Sequence, residues 1–213
     1  MIGNDIVDIR KAYNEGSWKR KGFIDKVFTN SELRQIASTD NKFNSVWRMW
    51  SMKESVYKVI IQAGKERFLN PQSLVCSFYD EQKGFVIYEG KSYETKSLLT
   101  NKFIYSCHTS EKHTEVIDEI LVVKDPSEQG KVTRLALFRR VADMFEYPIK
   151  KLSIRKNKKG VPKLYNSQFP LGLHLSLTHH GNYAAYAINA LKGTRPSIEW
   201  LSLIHISEPT RPY

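Results

Sequence analysis

Ser51-Met52-Lys53-Glu54-Ser55-Val56-Tyr57-Lys58, preceded by Trp47 and Trp50, is the stretch on which the reading of this chain turns. Positions three and four apart share a helix face, so Trp47, Trp50, Glu54, Lys58 and Ile61 align while Lys53 and Tyr57 flank them. A carboxylate is thereby held against aromatic surface, with a lysine one turn further on. Taken alone, Glu54 and Lys58 amount to an exposed pair supporting its own helix. The segment gains meaning from what accompanies it along the chain.

Composition sets the bounds. With 213 residues, 41% of them hydrophobic, the chain can bury a core in one domain or two tightly fused lobes. Its 33 Lys and Arg outnumber 22 Asp and Glu, a formal net charge of +11, which points to a polyanion or an acidic protein as partner. Between residues 147 and 193 there are eight basic residues (Lys150, Lys151, Arg155, Lys156, Lys158, Lys159, Lys163 and Lys192) and no Asp or Glu. That stretch is a local anion site or a solvated basic loop. Only two cysteines occur, Cys76 and Cys107, without CxxC spacing, so neither a disulfide framework nor a thiolate metal site is expected and a reducing cytosol fits. MIGNDIVDIR carries acidic residues where a secretory signal needs a basic and then an apolar run. No apolar stretch approaches the roughly 20 residues of a membrane span. A soluble cytoplasmic protein is expected.

Periodicity predicts two halves of similar grammar. The first has a strand over 2–9, a helix capped by Asn30 or Ser31 with Glu32 in its first turn, and a helix over 47–61. Strands are expected at 74–79, 84–88, 103–108 and 117–123, and Asp125, Pro126, Ser127 and Gly130 form a connector. The second half opens with a helix over 132–145, whose Leu135, Phe138, Ala142 and Phe145 make an apolar stripe. A turn through Gly160-Val161-Pro162 leads to Leu173-His174-Leu175-Ser176-Leu177-Thr178, a two-residue alternation that puts His174, Ser176 and Thr178 on one face and ends at His179-His180-Gly181. The fold class is α+β, two pseudo-symmetric lobes (1–125 and 126–193), each a helix packed on a small antiparallel sheet. Residues 201–213 do not follow this grammar. They resemble translated sequencing-adapter read-through and are set aside as non-native.

Three separated elements call for a joint explanation: Gly3-Asn4-Asp5-Ile6-Val7-Asp8-Ile9, the helix through Trp50 and Lys58, and Gly160-Val161-Pro162 followed by Ser176-Leu177-Thr178-His179. Together they resemble the 4′-phosphopantetheinyl transferases, in which a GxDIVEI-like strand, a WxxKEAxxK helix and a GxP…SxSH segment build one active site. The motif order is that of the small holo-acyl-carrier-protein synthases, and Val27-Phe28-Thr29-Asn30-Ser31-Glu32 is similar to their FTxxE segment. The length suits the larger two-lobed class, with its halves exchanged.

The resemblance implies transfer of the phosphopantetheine arm of coenzyme A to a serine of an apo acyl or peptidyl carrier protein, releasing adenosine 3′,5′-bisphosphate. It implies Mg²⁺ held by Asp5 and Glu54, since this cation takes one or two carboxylates together with phosphate and water oxygens. Asp8 stays outside that shell as a cap or a partner of Arg10. Val7 stands where the two-lobed class carries a further acidic residue. Lys58 matches the lysine on the pyrophosphate, and Lys53 is its neighbour on the helix. The base for the serine hydroxyl is Glu54 itself or a water on the metal. Thr178 and His179 match the pair that contacts cofactor phosphate, whereas His180 has no such match. The family turn carries a lysine where this chain has Val161, with Lys159 and Lys163 beside it as substitutes. The acid-free basic segment is suited to steering an acidic carrier protein. A monomer with one cleft between its lobes is expected.

A rival reading is a non-catalytic nucleic-acid-binding module that uses residues 150–163 with aromatic stacking surfaces. It accounts for the charge but not for paired Asp5 and Glu54, which repel phosphate unless a metal intervenes. A metal-dependent nuclease would need a denser acidic cluster.

Overall fold

The computed structural model describes residues 1–20, 22–110 and 114–191. The tail set aside above lies outside them. The order is β1 (Ile2–Asp8), α1 (Ile9–Glu15), α2 (Phe23–Val27), α3 (Asn30–Ala37), α4 (Lys42–Gln62), β2 (Val75–Phe78), β3 (Lys83–Tyr88), β4 (Lys91–Leu99) and β5 (Phe103–Thr109). Then follow β6 (Thr114–Val122), α5 (Gln129–Phe145), β7 (Leu152–Lys156), β8 (Pro162–Asn166), β9 (Phe169–His180) and β10 (Tyr183–Leu191). Two five-stranded antiparallel sheets result, ordered β1-β5-β4-β3-β2 and β6-β10-β9-β8-β7. The α+β, two-lobed expectation holds. β6 pairs with β10 along its length, so the sheets part between β5 and β6, ahead of the boundary read from the connector at Asp125.

Each sheet buries one face against one long helix. In the first lobe, Val46, Met49, Met52, Val56 and Ile60 of α4 pack on Cys76, Val86 and Tyr88 of the sheet and on Phe28. In the second, Leu137, Val141 and Met144 of α5 pack on Leu164, Leu175, Tyr186 and Ile188. α4 begins at Lys42, a full turn before the expected start, because Asn41 accepts the Asn44 amide as its cap. α3 is capped by Thr29 rather than by Asn30 or Ser31. The Thr29 hydroxyl and the Glu32 carboxylate exchange bonds with each other's backbone amides in a capping box.

Lys53, read as a neighbour of the site, lies elsewhere. It is 1% exposed, on the side of α4 away from Glu54, and donates to Glu32 at 2.9 Å and to the carbonyls of Val27 (3.0 Å) and Pro71 (2.9 Å). Glu32 is wholly buried and also accepts the amides of Thr29 and Cys76, both at 2.7 Å. The pair thus pins α4 to the start of α3 and to β2. Asp8 is the N-cap of α1, accepting the Lys11 amide at 3.0 Å, as one of the two readings anticipated. Cys76 and Cys107 are both free. Among the described residues no helix is long and apolar enough to cross a membrane.

Removing one half of a buried ion pair strands the other charge. Lys53→Met is therefore expected to lower unfolding free energy by about 3–5 kcal/mol in urea denaturation. The double variant Glu32→Gln/Lys53→Met, with no buried charge left, should recover part of that loss.

Candidate active site

The site is built around one strand. β1 is buried along its whole length but pairs with a strand on one side only, β5. Its amides at positions 2, 4, 6 and 8 point the other way and need partners inside the protein. Side chains supply them. The Ile2 amide donates to Gln62 Oε1 (3.3 Å), Asn4 to Ser176 Oγ (3.0 Å), Ile6 to Thr178 Oγ1 (3.3 Å) and Asp8 to His180 Nδ1 (2.9 Å). The outward carbonyls of Ile2 and Asn4 accept from Gln62 Nε2 and Lys58 Nζ, both at 2.6 Å. The edge of the first sheet therefore rests on the face of the second, with α4 alongside.

The fit is close enough to exclude a side chain at two glycines. A Cβ on Gly3 would lie 2.0 Å from the Ser55 carbonyl oxygen, so β1 and α4 touch backbone to backbone. Gly181, in the left-handed region at φ +60°, would drive a Cβ to 2.2 Å from Asp8 Oδ2, the oxygen that accepts the Asn182 amide at 2.8 Å. Asp8 thereby ties the β9–β10 turn to the first lobe.

Asp5 sits mid-strand, 9% exposed. Its Oδ1 accepts the Thr178 hydroxyl at 3.0 Å and lies 3.3 Å from Lys58 Nζ. Glu54, one turn before Lys58 on α4, is partly buried. Desolvation raises its pKa to about 7 from 4.5, the Asp5 charge adds to the rise, and Lys58 opposes it. The structure thus brings Asp5, Glu54, Lys58 and Thr178 together. Two neighbouring carboxylates, one of them raised by desolvation and by the charge of the other, suit a hard divalent cation, which would favour the ionised form of both. Among the described residues there is no cluster of three or more His, Cys, Asp or Glu fit for a metal. Such a cation would draw its remaining oxygens from phosphate and water.

The other expected residues lie apart from this group. His179 is exposed, and the pleat sets it on the side of β9 that carries Leu175 and Leu177 toward α5. His180, which the motif passed over, reaches β1 instead. Lys159 donates to the Gly64 carbonyl and pairs with Glu66 at 2.6 Å, while its own carbonyl accepts from Arg67 Nε at 3.1 Å. It joins the Gly160 turn to the loop after α4. Lys163 is exposed on β8, opposite His174. Val161 closes the turn, its amide donating to Asn157 Oδ1. The signal for His180 lay in the alternation itself: two residues beyond Thr178 is the same face, but the alternation is read only as far as Thr178, two residues short of the end of β9. Ser176 lay on that face too, whereas Gln62 gave no comparable sign.

A sequence model described as the 4′-phosphopantetheinyl transferase superfamily matches residues 1–113, a span that holds Asp5, Glu54 and Lys58. The chain belongs to that superfamily. Among curated proteins, this superfamily member is 28% identical over 113 residues to a holo-[acyl-carrier-protein] synthase of Fusobacterium nucleatum subsp. nucleatum, covering 53% of this chain and 88% of that protein. Solved structures similar to it include the holo-[acyl-carrier-protein] synthase of Neisseria meningitidis (14% identity, TM-score 0.44, 52% of this chain and 97% of that one). Another is the Helicobacter pylori holo-[acyl-carrier-protein] synthase in complex with coenzyme A (18% identity, TM-score 0.42, 51% and 98%). β7 to β10, which carry Thr178 and His180, lie beyond the family match.

The raised pKa of Glu54 has a consequence for stability. Between about 4.5 and about 7 the folded chain holds a proton that the unfolded chain has released, so stability falls as pH rises through that window. In chelator-treated protein, Glu54→Gln should gain about 1–3 kcal/mol on the parent between pH 4.5 and pH 8, measured by urea denaturation. A pH-independent difference would show that the carboxyl is not desolvated.

Proposed function

We propose that the chain transfers the 4′-phosphopantetheine arm of coenzyme A to a serine of an apo acyl or peptidyl carrier protein, releasing adenosine 3′,5′-bisphosphate. The observation that carries this reading is the meeting of Asp5 and Glu54 beside Lys58, at the seam where the second lobe reaches the first. Asp5 and Glu54 would hold Mg²⁺, which when bound supplies charge neutralisation on the pyrophosphate. Lys58, held over Asp5 and the Asn4 carbonyl, places a further positive charge where the pyrophosphate oxygens would lie. The serine oxygen attacks the phosphorus that bears the pantetheine arm. The pyrophosphate P–O bond breaks, its electron pair leaves with adenosine 3′,5′-bisphosphate, and the serine proton passes to a base. Glu54, directly or through a water, is the candidate to take it.

Thr178 and His179 are assigned to cofactor phosphate, Thr178 from within the seam and the exposed His179 from the other face of β9, with Lys163 exposed on β8 and Lys159 holding the turn to the first lobe. The exposed Lys150 and Lys151 just ahead of β7, with Arg155, Lys156 and Lys158 of the β7–β8 hairpin, form a basic surface that complements an acidic carrier protein. Because β1 and β9 belong to one chain, the seam is completed without a neighbouring subunit, and a monomer with approximate twofold symmetry fits this arrangement.

The direct test is mass spectrometry of an apo carrier protein incubated with the chain, coenzyme A and Mg²⁺. The carrier should gain the phosphopantetheine mass, and Asp5→Asn or Glu54→Gln should slow that gain by at least ~100-fold. Near-parental rates in both variants at saturating Mg²⁺ would remove the metal assignment. If His179 meets a cofactor phosphate, His179→Ala should weaken coenzyme A binding by ~1.5–3 kcal/mol in calorimetry, and much less for dephospho-coenzyme A if the contact is to the 3′-phosphate.

A further inference from the structure

We infer that Thr178 is a positioning residue for the metal-binding carboxylate. Supplied by the second lobe, it fixes which oxygen of Asp5 faces the cation. The inference rests on Asp5 being a metal ligand, as proposed above.

The argument begins with a single proton. A threonine hydroxyl has one hydrogen to donate and lone pairs to accept with. Thr178 Oγ1 is 3.3 Å from the Ile6 amide nitrogen, and an amide can only donate, so here the hydroxyl accepts. The same oxygen is 3.0 Å from Asp5 Oδ1, and an ionised carboxylate can only accept, so the hydroxyl proton must point to Asp5. Neither bond can turn over without breaking the other. The rotor is further confined, since Thr178 is 7% exposed and branched at Cβ.

Lys58 Nζ approaches the same oxygen from α4, so both contacts fall on Oδ1, one from each lobe. A carboxylate gripped through one oxygen presents the other, and Oδ2 is the oxygen so presented. Without the hydroxyl, Asp5 would keep the Lys58 contact but lose the second point that fixes rotation about its Cβ–Cγ bond. Hydrogen bonds to ligating carboxylates set affinity in this way, and their loss costs about 10–100-fold in metal binding. Ser176 makes a comparable bond in the same seam, but to the Asn4 amide in place of the Asp5 carboxylate. It supplies the control that separates seam stability from metal positioning.

The test is titration of the full chain with Mn²⁺, free metal being read by electron paramagnetic resonance, alongside thermal unfolding. Thr178→Val keeps the shape and removes the hydroxyl, and should weaken Mn²⁺ binding about tenfold. Thr178→Ser, which restores the hydroxyl, should return it to within about twofold of the parent. Ser176→Ala should lower the melting temperature while leaving Mn²⁺ affinity unchanged. In an Asp5→Asn background, adding Thr178→Val should change binding no further. A parent that binds Mn²⁺ with Thr178→Val binding equally well overturns the inference and leaves the metal site standing. So does a Thr178→Ser variant as weak as Thr178→Val. A parent that binds no Mn²⁺ overturns the metal assignment and the inference with it.

Discussion

The structure depends on how one strand edge is satisfied. A strand buried on both sides must place all of its amides and carbonyls, and ordinarily a second strand does this. Among the described residues β1 has no second strand. Gln62 and Lys58 from α4, and Ser176, Thr178 and His180 from β9, take the place of the missing ladder. Because these are side chains, the edge of one sheet can lie against the face of another, a geometry that backbone pairing does not allow. The setting of Asp5 follows from this, since it sits in the middle of the strand where both lobes reach it.

α4 works in two directions. The buried Glu32–Lys53 pair anchors the helix on its far side to α3 and β2, while Glu54, the next residue, turns toward β1. Adjacent residues on a helix lie about 100° apart, so consecutive charges serve different ends. Between them, the backbone contact at Gly3 and Ser55 sets the spacing of helix and strand. A charge network on one side and a bare glycine on the other thus hold Glu54 at a fixed depth beside Asp5.

Much of this was legible in the chain because it is local. The helix through Glu54 and Lys58, the alternation at Ser176 and Thr178 and the strands near 84–88 and 103–108 are short-range patterns, and each appears close to its expected place. β4 was not expected, because Lys91-Ser92-Tyr93-Glu94-Thr95-Lys96 shows little apolar alternation, and its burial comes from neighbours in the sheet. The role of Lys53 was hidden because its carboxylate partner lies 21 positions away. His179 carried the motif while His180 carries the contact. The difference turns on where β9 ends, and its pairing with β10 continues as far as His180 opposite Tyr183.

The side chains lining the seam differ in reach: a short hydroxyl at 176, a branched one at 178, an imidazole at 180. A backbone ladder repeats every two residues and can slip by that step without losing bonds. This set cannot. Slid by two, the imidazole would arrive at Ile6, in the space a hydroxyl fills, and the Asp8 amide would be left without its acceptor. The two halves therefore mate at one register, as a key with three unequal teeth seats in one lock, and the sequence of tooth lengths is what tells the chain where its own halves belong.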